Sequence, residues 1–158
     1  MAETTHAPIT DHNAIASALS QWFGANARDL PWREADASTG RRDPYRSLVS
    51  ELMLQQTQVS RVLEKFEPFI ERFPTVQALA SANEQEVLAS WSGLGYYRRA
   101  RLLHAASKQI VEEHGARVPQ DEATLQKITG IGRYTAGAIA SIVFDRPAPI
   151  VDGNVSRV

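Results

Sequence analysis

The feature that most constrains this chain is the spacing of its apolar residues, which is helical nearly throughout and alternates with period two nowhere. From Asn13 to Phe23, the residues Ile15, Leu19, Trp22 and Phe23 recur at intervals of three and four. A second helix is predicted from Tyr45 to Leu54, with Leu48, Val49, Leu52 and Met53 facing inward. Thr57 reads as the cap of a third, carrying Val59, Val62, Leu63, Phe66, Phe69 and Ile70. Phe73-Pro74-Thr75 ends it and starts a short helix over Val76 to Leu79. Asn83 reads as the N-cap of Glu84 to Trp91, with its acidic residues in the first turn, where the helix dipole favours them. Gly93-Leu94-Gly95 breaks the chain before a longer helix from Arg98 to Glu113, closed by Gly115. Asp121 opens a helix to Ile128, and Thr135 to Phe144 forms another. Pro147 and Pro149 end that one, and Val151-Asp152-Gly153-Asn154 is expected to open the next. The expected class is all-α, built from short helices with short connections.

A chain of 158 residues, 43% hydrophobic and 22% charged, is long enough to enclose one core. The absence of cysteine excludes a disulfide, a thiolate metal site or a thiol nucleophile from this chain. The opening MAETTHAPITDH has no apolar run, and no stretch is long enough for a membrane span. These features lead to the expectation of a monomer in the cytoplasm, or at the nucleoid of a bacterium, without a membrane partner. A net charge of −1 decides nothing about nucleic acid, so the placement of the arginines matters more. Arg28 and Arg33 flank LPW, Arg41, Arg42 and Arg46 surround DPY, and Arg98, Arg99 and Arg101 follow GLGYY. Acidic residues gather elsewhere, so one positive face is feasible, although such runs are often only solvated helix surfaces.

Two carboxylates stand out. Glu51, in SELMLQQTQ, lies on a strongly apolar helix, where burial would raise its pKa enough for general-acid chemistry near neutral pH. The plainer reading is a boundary carboxylate that is solvated or paired to an arginine. Asp152, in VDGN, would be either a helix cap or the partner of Glu51 across a cleft. In that cleft one carboxyl would protonate a leaving group while the other stabilises a developing cation, as in glycoside cleavage. Gln55 and Gln56 in QQTQ, and Tyr96 and Tyr97 in GLGYY, place amides and aromatics at element junctions, where such groups can contact bases. Gly130-Ile131-Gly132-Arg133 permits a tight turn before a helix N-terminus, an arrangement suited to phosphate or to an ordinary helix–helix link. His6, His12, His104 and His114 have no metal-ligand spacing and read as surface or boundary residues.

Taken in order, LPWR, DPY, SELMLQQTQV, FPT, WSGLGYYRRARLLH, ITGIGRYTAGAI and IVDGNVSRV resemble the MutY family of adenine DNA glycosylases, from about Ile15 to the last residue. The resemblance extends to the wider helix-hairpin-helix glycosylase superfamily, with the hairpin at Ile128 to Gly132. It implies a six-helix barrel module over 45–144, with a phosphate-holding hairpin at 128–132 and a monovalent cation on the hairpin carbonyls. It further implies a disordered start at 1–12, and a segment 13–44 that belongs to an incomplete second module. The remaining 145–158 would form the aspartate loop and the start of a truncated helix. The partner implied is double-stranded DNA with adenine opposite 8-oxoguanine or guanine.

Carried over by position, the resemblance makes Glu51 the acid that protonates N7 of an extruded adenine. Asp152 would stabilise the oxocarbenium ion or bond transiently to C1′, with Asn154 assisting. Arg28, Trp32, Arg33 and Leu54 would surround the adenine, and Gln56 and Tyr96 would insert beside the opposing base. Tyr134 occupies the position where endonuclease III-like enzymes carry a Schiff-base lysine, which implies base release without strand cleavage. The family's four-cysteine [4Fe-4S] cluster would be ligated beyond Val158, and this chain would be an N-terminal fragment with no metal of its own. Two other readings remain: a non-catalytic helix-hairpin-helix DNA-binding fragment and an endonuclease III-like lyase. The hairpin departs from the usual L-P-G in reading Ile128-Thr129-Gly130.

Overall fold

The computed structural model describes residues 11–35, 39–151 and 155–157. Asp152 and Asn154 therefore lie outside the described residues, as do the first ten positions. Eight α-helices run in order among them: α1 His12–Asn26, α2 Pro44–Leu54, α3 Val59–Arg72, α4 Val76–Ser81, α5 Glu84–Ser90, α6 Arg98–His114, α7 Glu122–Leu125 and α8 Arg133–Phe144. The one strand-like pairing among the described residues is an isolated bridge between Ala35 and Arg42, so the all-α expectation holds.

Local chemistry sets most boundaries. The side chain of Asp43 accepts from Arg46 N at the start of α2, and Pro44 occupies the first turn, where its missing N–H costs nothing. Asn83 and Glu86 form a reciprocal capping box on α5. Gly115, at φ +58°, closes α6 in the left-handed conformation. Two expectations need correction here. Thr57 does not cap α3, whose N-cap is Gln58; its hydroxyl is engaged instead with the Gln55 carbonyl and Arg99. The α7 helix stops at Leu125, short of Ile128, because Lys127 N and Ile128 N turn back three residues to Thr124 O and Leu125 O.

The core is one cluster to which α2 to α8 all contribute. Trp91, Phe66, Phe69, Leu48, Leu52, Leu103 and Ile139 are among its fully buried side chains. Phe69 packs edge-to-face on both Phe73 and Trp91, with centroids 5.0 and 5.9 Å apart. Tyr45 is buried beneath α2, and its hydroxyl donates to Phe73 O at 2.7 Å. By contrast, α1 buries nothing: Leu19, Trp22 and Phe23 are 61%, 63% and 47% exposed. Its helical period is real, but among the described residues no element covers the stripe. Leu63, one of the apolar residues carried by α3, is 41% exposed.

His104 is the second correction of burial, since it lies inside at 3% exposure where α6 packs on α4. Burial, followed by Lys108, holds its imidazole below the ordinary value, while the carbonyls of Ala82 and Ala80 and the Glu84 charge act the other way. The folded state therefore favours the neutral ring. Its contribution to stability is complete above the unfolded pKa of about 6.5 and is lost as pH falls through the lower folded value. Thermal unfolding followed from pH 7.5 to 5.5 should show a declining Tm in the wild type and a flatter profile in His104→Gln.

Candidate active site

The helices α2 and α8 pack side by side, and the segment 28–33 lies across one end of the pair. Between them is a cavity of about 230 Å³. Ser47, Ser50, Glu51 and Leu54 line it from α2 at helical spacing, and Tyr134, Ala138, Ile139, Ile142 and Val143 line it from α8. Arg28, Leu30, Trp32, Arg33 and Arg42, with Val59 of α3, complete the wall. Six residues singled out in the sequence, Glu51, Arg28, Trp32, Arg33, Leu54 and Tyr134, thus meet around one space. The volume is below the ~300–1,000 Å³ of drug-sized pockets and suits a single heterocycle. Trp32 is held rigidly, since it is 6% exposed and packs edge-to-face on Phe66 at 5.2 Å.

Burial pushes the Glu51 carboxyl above the usual carboxylate range. Arg33 donates to Arg28 O at 3.3 Å and stands over the Phe23 ring. Burial, with the like charges of Arg42 and Arg28, pulls its guanidinium below the ordinary value, yet an arginine stays charged at neutral pH. The cavity therefore combines one carboxyl inclined to hold its proton with cations along one wall. Among the described residues, no lysine lines it.

Three turns border the helices α2, α6 and α8. Residues 55–58 end α2, residues 93–97 precede α6, and the hairpin 128–132 precedes α8. Gln55 Nε2 donates to Thr135 Oγ1 at 3.4 Å, joining the first turn to α8, so its amide points inward. Gln109 of α6 holds the hairpin, accepting from Thr129 N at 2.9 Å and donating to Lys127 O at 3.3 Å. Of the two hairpin glycines only Gly130 needs its freedom: it has φ +82°, and a Cβ there would lie 2.7 Å from Leu102 Cβ. Gly132 has φ −82° and serves as the N-cap of α8, with no side chain capping the first turn. Ile131 is buried and its N–H donates to Ile128 O, so the anion-receiving donors at this end are those of the first turn of α8, which no side chain caps, with Arg133 exposed beside them.

The sequence leaves open whether the arginines after GLGYY form a positive face or a solvated helix surface; for Arg99 the structure shows neither. Arg99 is 6% exposed, and its guanidinium faces backbone. Nη1 donates to Leu52 O at 2.9 Å, to Met53 O at 2.8 Å and to Gln55 O. Nη2 donates to Thr57 Oγ1 at 2.9 Å, Leu94 O at 3.2 Å and Gly95 O at 3.3 Å. Arg101 pairs with Glu84, which leaves Arg98 exposed at the start of α6. Gln56 and Tyr96 are both exposed, Tyr96 by 62%. Both also have left-handed backbone, at φ +55° and +44°. Neither Arg99 nor Gln109 carries a sequence signal that separates it from a solvated helix residue.

The chain segment at Pro149 passes close over α8. Pro149 O lies so close to α8 that a Cβ on Gly137 would be 2.6 Å from it. The absence of a side chain at Gly137 therefore lets this segment cross the helix that bears Tyr134. With no cysteine in the sequence, the chain offers no thiolate to an iron–sulfur cluster. Among the described residues, no three His, Asp or Glu side chains gather as metal ligands, and no helix is long and apolar enough to cross a membrane.

The chain belongs to the HhH-GPD superfamily of base excision DNA repair proteins, whose profile matches residues 49–158. Its relatives include the adenine DNA glycosylase of Mus musculus, 47% identical over 154 residues that make up 95% of this chain and 30% of that protein. The adenine DNA glycosylase of Mycobacterium tuberculosis is 42% identical over 150 residues, 95% of this chain and 46% of that protein. The chain thus spans between about a third and a half of these relatives. A thermostable thymine-DNA glycosylase has the same fold, with a TM-score of 0.80 at 24% identity over 90% of this chain and 63% of that one. So does endonuclease III in a non-covalent DNA complex, with a TM-score of 0.71 at 23% identity over 92% and 65%. The helix-hairpin-helix glycosylase fold expected from the sequence is the fold observed.

Gly137→Ala is expected to destabilise the protein by about 1–3 kcal/mol in denaturant unfolding, because backbone rather than a flexible side chain must move. Gly24→Ala, within α1 and with nothing within 4 Å of its Cβ, should leave stability unchanged or slightly raised.

Proposed function

We propose that this chain carries the base-excision face of an adenine DNA glycosylase acting on adenine opposite 8-oxoguanine or guanine in duplex DNA. The observation that carries the reading is Glu51, a carboxyl whose pKa burial raises, lining a cavity sized for one base. Kinship to proteins named adenine DNA glycosylase supports adenine as that base. A base inside a duplex is out of reach of any cavity, so the nucleotide must first be extruded. Gln56 and Tyr96 enter the gap beside the opposing base, and the N–H groups of the first turn of α8 hold backbone phosphate without reading sequence.

The chemistry follows from the two carboxyls. Glu51 gives its proton to N7 of adenine as the bond from C1′ to N9 breaks, and the electron pair of that bond leaves with the base. Adenine departs neutral, and the positive charge left on the sugar is met by the carboxylate of Asp152, assisted by Asn154. Water then adds at C1′ and gives its proton to the Glu51 carboxylate, which restores the acid and completes hydrolysis of the N-glycosidic bond. Trp32 and Leu54 present apolar surface to the base and exclude water around Glu51. Strand cleavage through a Schiff base needs an amine; the cavity presents the phenol of Tyr134 and no lysine.

Single-turnover assays of the complete protein on duplex DNA containing adenine opposite 8-oxoguanine should show base release. Glu51→Gln should lower its rate by about 10²–10⁴-fold while duplex binding persists. Borohydride should trap no covalent DNA adduct with the wild type. A trapped adduct would favour the lyase reading.

A further inference from the structure

The 55–58 turn and the 93–97 loop lie far apart in sequence, yet one buried guanidinium binds both. The acceptors it chooses are specific. Gln55 O belongs to the peptide immediately before Gln56, and Gly95 O to the peptide immediately before Tyr96. The φ angle of a residue is the rotation between its Cα and that preceding peptide plane. Fixing the carbonyl therefore fixes the plane from which the left-handed conformation of Gln56 and Tyr96 departs. L-residues avoid this conformation unless their surroundings impose it, and here the same cation imposes it twice.

Further contacts tighten the unit. Thr57 Oγ1 accepts from Arg99 and lies 3.5 Å from Leu94 O, bridging the two turns directly. Trp91 Nε1 donates to Gly95 O at 3.1 Å, so this carbonyl has two donors. The Arg99 guanidinium lies 5.5 Å from the ring centroids of both Trp91 and Tyr96. Among the described residues it has no carboxylate partner; carbonyl dipoles, one hydroxyl and two aromatic rings surround its charge. A planar fork can serve both turns at once, one nitrogen to each side, whereas a lysine ammonium is a single point.

We propose that Arg99 is a positioning residue that couples the two turns, so that Gln56 and Tyr96 engage the base opposite the extruded adenine as one rigid unit. The proposal rests on the functional reading above and extends it to how the opposing base is sensed. It requires that loss of the fork impair recognition of the opposing base while sparing the bond-breaking step.

The test uses the complete protein and two duplexes, one with adenine opposite 8-oxoguanine and one with adenine opposite an abasic tetrahydrofuran residue. Rates are normalised to the active fraction by titration. Arg99→Lys should slow base release roughly 10-fold or more on the first duplex and less than about 3-fold on the second. Thr57→Val, which keeps the buried cation but removes one of its anchors, should show the same pattern at roughly 2–10-fold and guards against misfolding of the lysine variant. Gln56→Ala and Tyr96→Ala should be non-additive in the wild-type background and multiplicative in Arg99→Lys. Equal losses on the two duplexes, or multiplicative effects in the wild type, overturn this proposal alone. A wild type that releases no adenine from either duplex overturns the functional reading and this proposal with it.

Discussion

A single buried guanidinium, that of Arg99, holds the frame on which the candidate site is built. A helix ends with carbonyls that lack intrahelical partners, and α2 ends inside the protein, where water cannot serve them. Arg99 supplies donors to Leu52 O, Met53 O and Gln55 O, and its charge complements the negative end of the helix dipole. Because α2 also contributes Leu48, Leu52 and Met53 to the core, the same helix anchors the fold and presents Glu51. Gln55 then passes the constraint to Thr135 on α8, the opposite wall of the cavity. The two turns are thus tied to each other by one set of hydrogen bonds, while Glu51 is held in place by the core packing of α2.

Glu51 illustrates how function draws on stability. A carboxyl removed from water favours its neutral form, and that preference enlarges the protonated fraction able to donate as pH rises above the usual carboxylate range. Ionising it in the folded state is unfavourable, so an apolar side chain at this position would suit the fold better. The nearby guanidiniums of Arg28, Arg33 and Arg42 would lower its pKa if they approached closely; burial governs it instead. The cavity keeps its cations on one wall and its acid on another, which lets both properties coexist.

Much of the architecture was legible in the sequence because it follows from local chemistry. The Asn83 capping box, the Gly115 terminus and the inward face of α2 are each set by residues within one or two turns. The cavity residues were legible through motif resemblance, and they do converge. What escaped depends on contacts distant in sequence. RRAR reads as a positive or a solvated surface, yet Arg99 points at carbonyls 44 to 47 residues away. His104 lacks a ligand pattern and is buried because α4 happens to cover it. The stripe on α1 reads as core by period alone, although no described element covers it. Burial is a property of the partner as well as of the helix.

The central claim, that Glu51 acts as a general acid with a pKa raised by burial, is tested most directly by the pH dependence of single-turnover adenine release. A general acid must carry its proton, so the rate should be high at low pH and fall as pH rises through the elevated pKa of Glu51. The midpoint should lie above the ordinary ~4.3 of a glutamate. The remaining activity of Glu51→Gln should lack this descending limb. A wild-type rate that stays flat through this range, or a descending limb that survives in Glu51→Gln, would contradict the account.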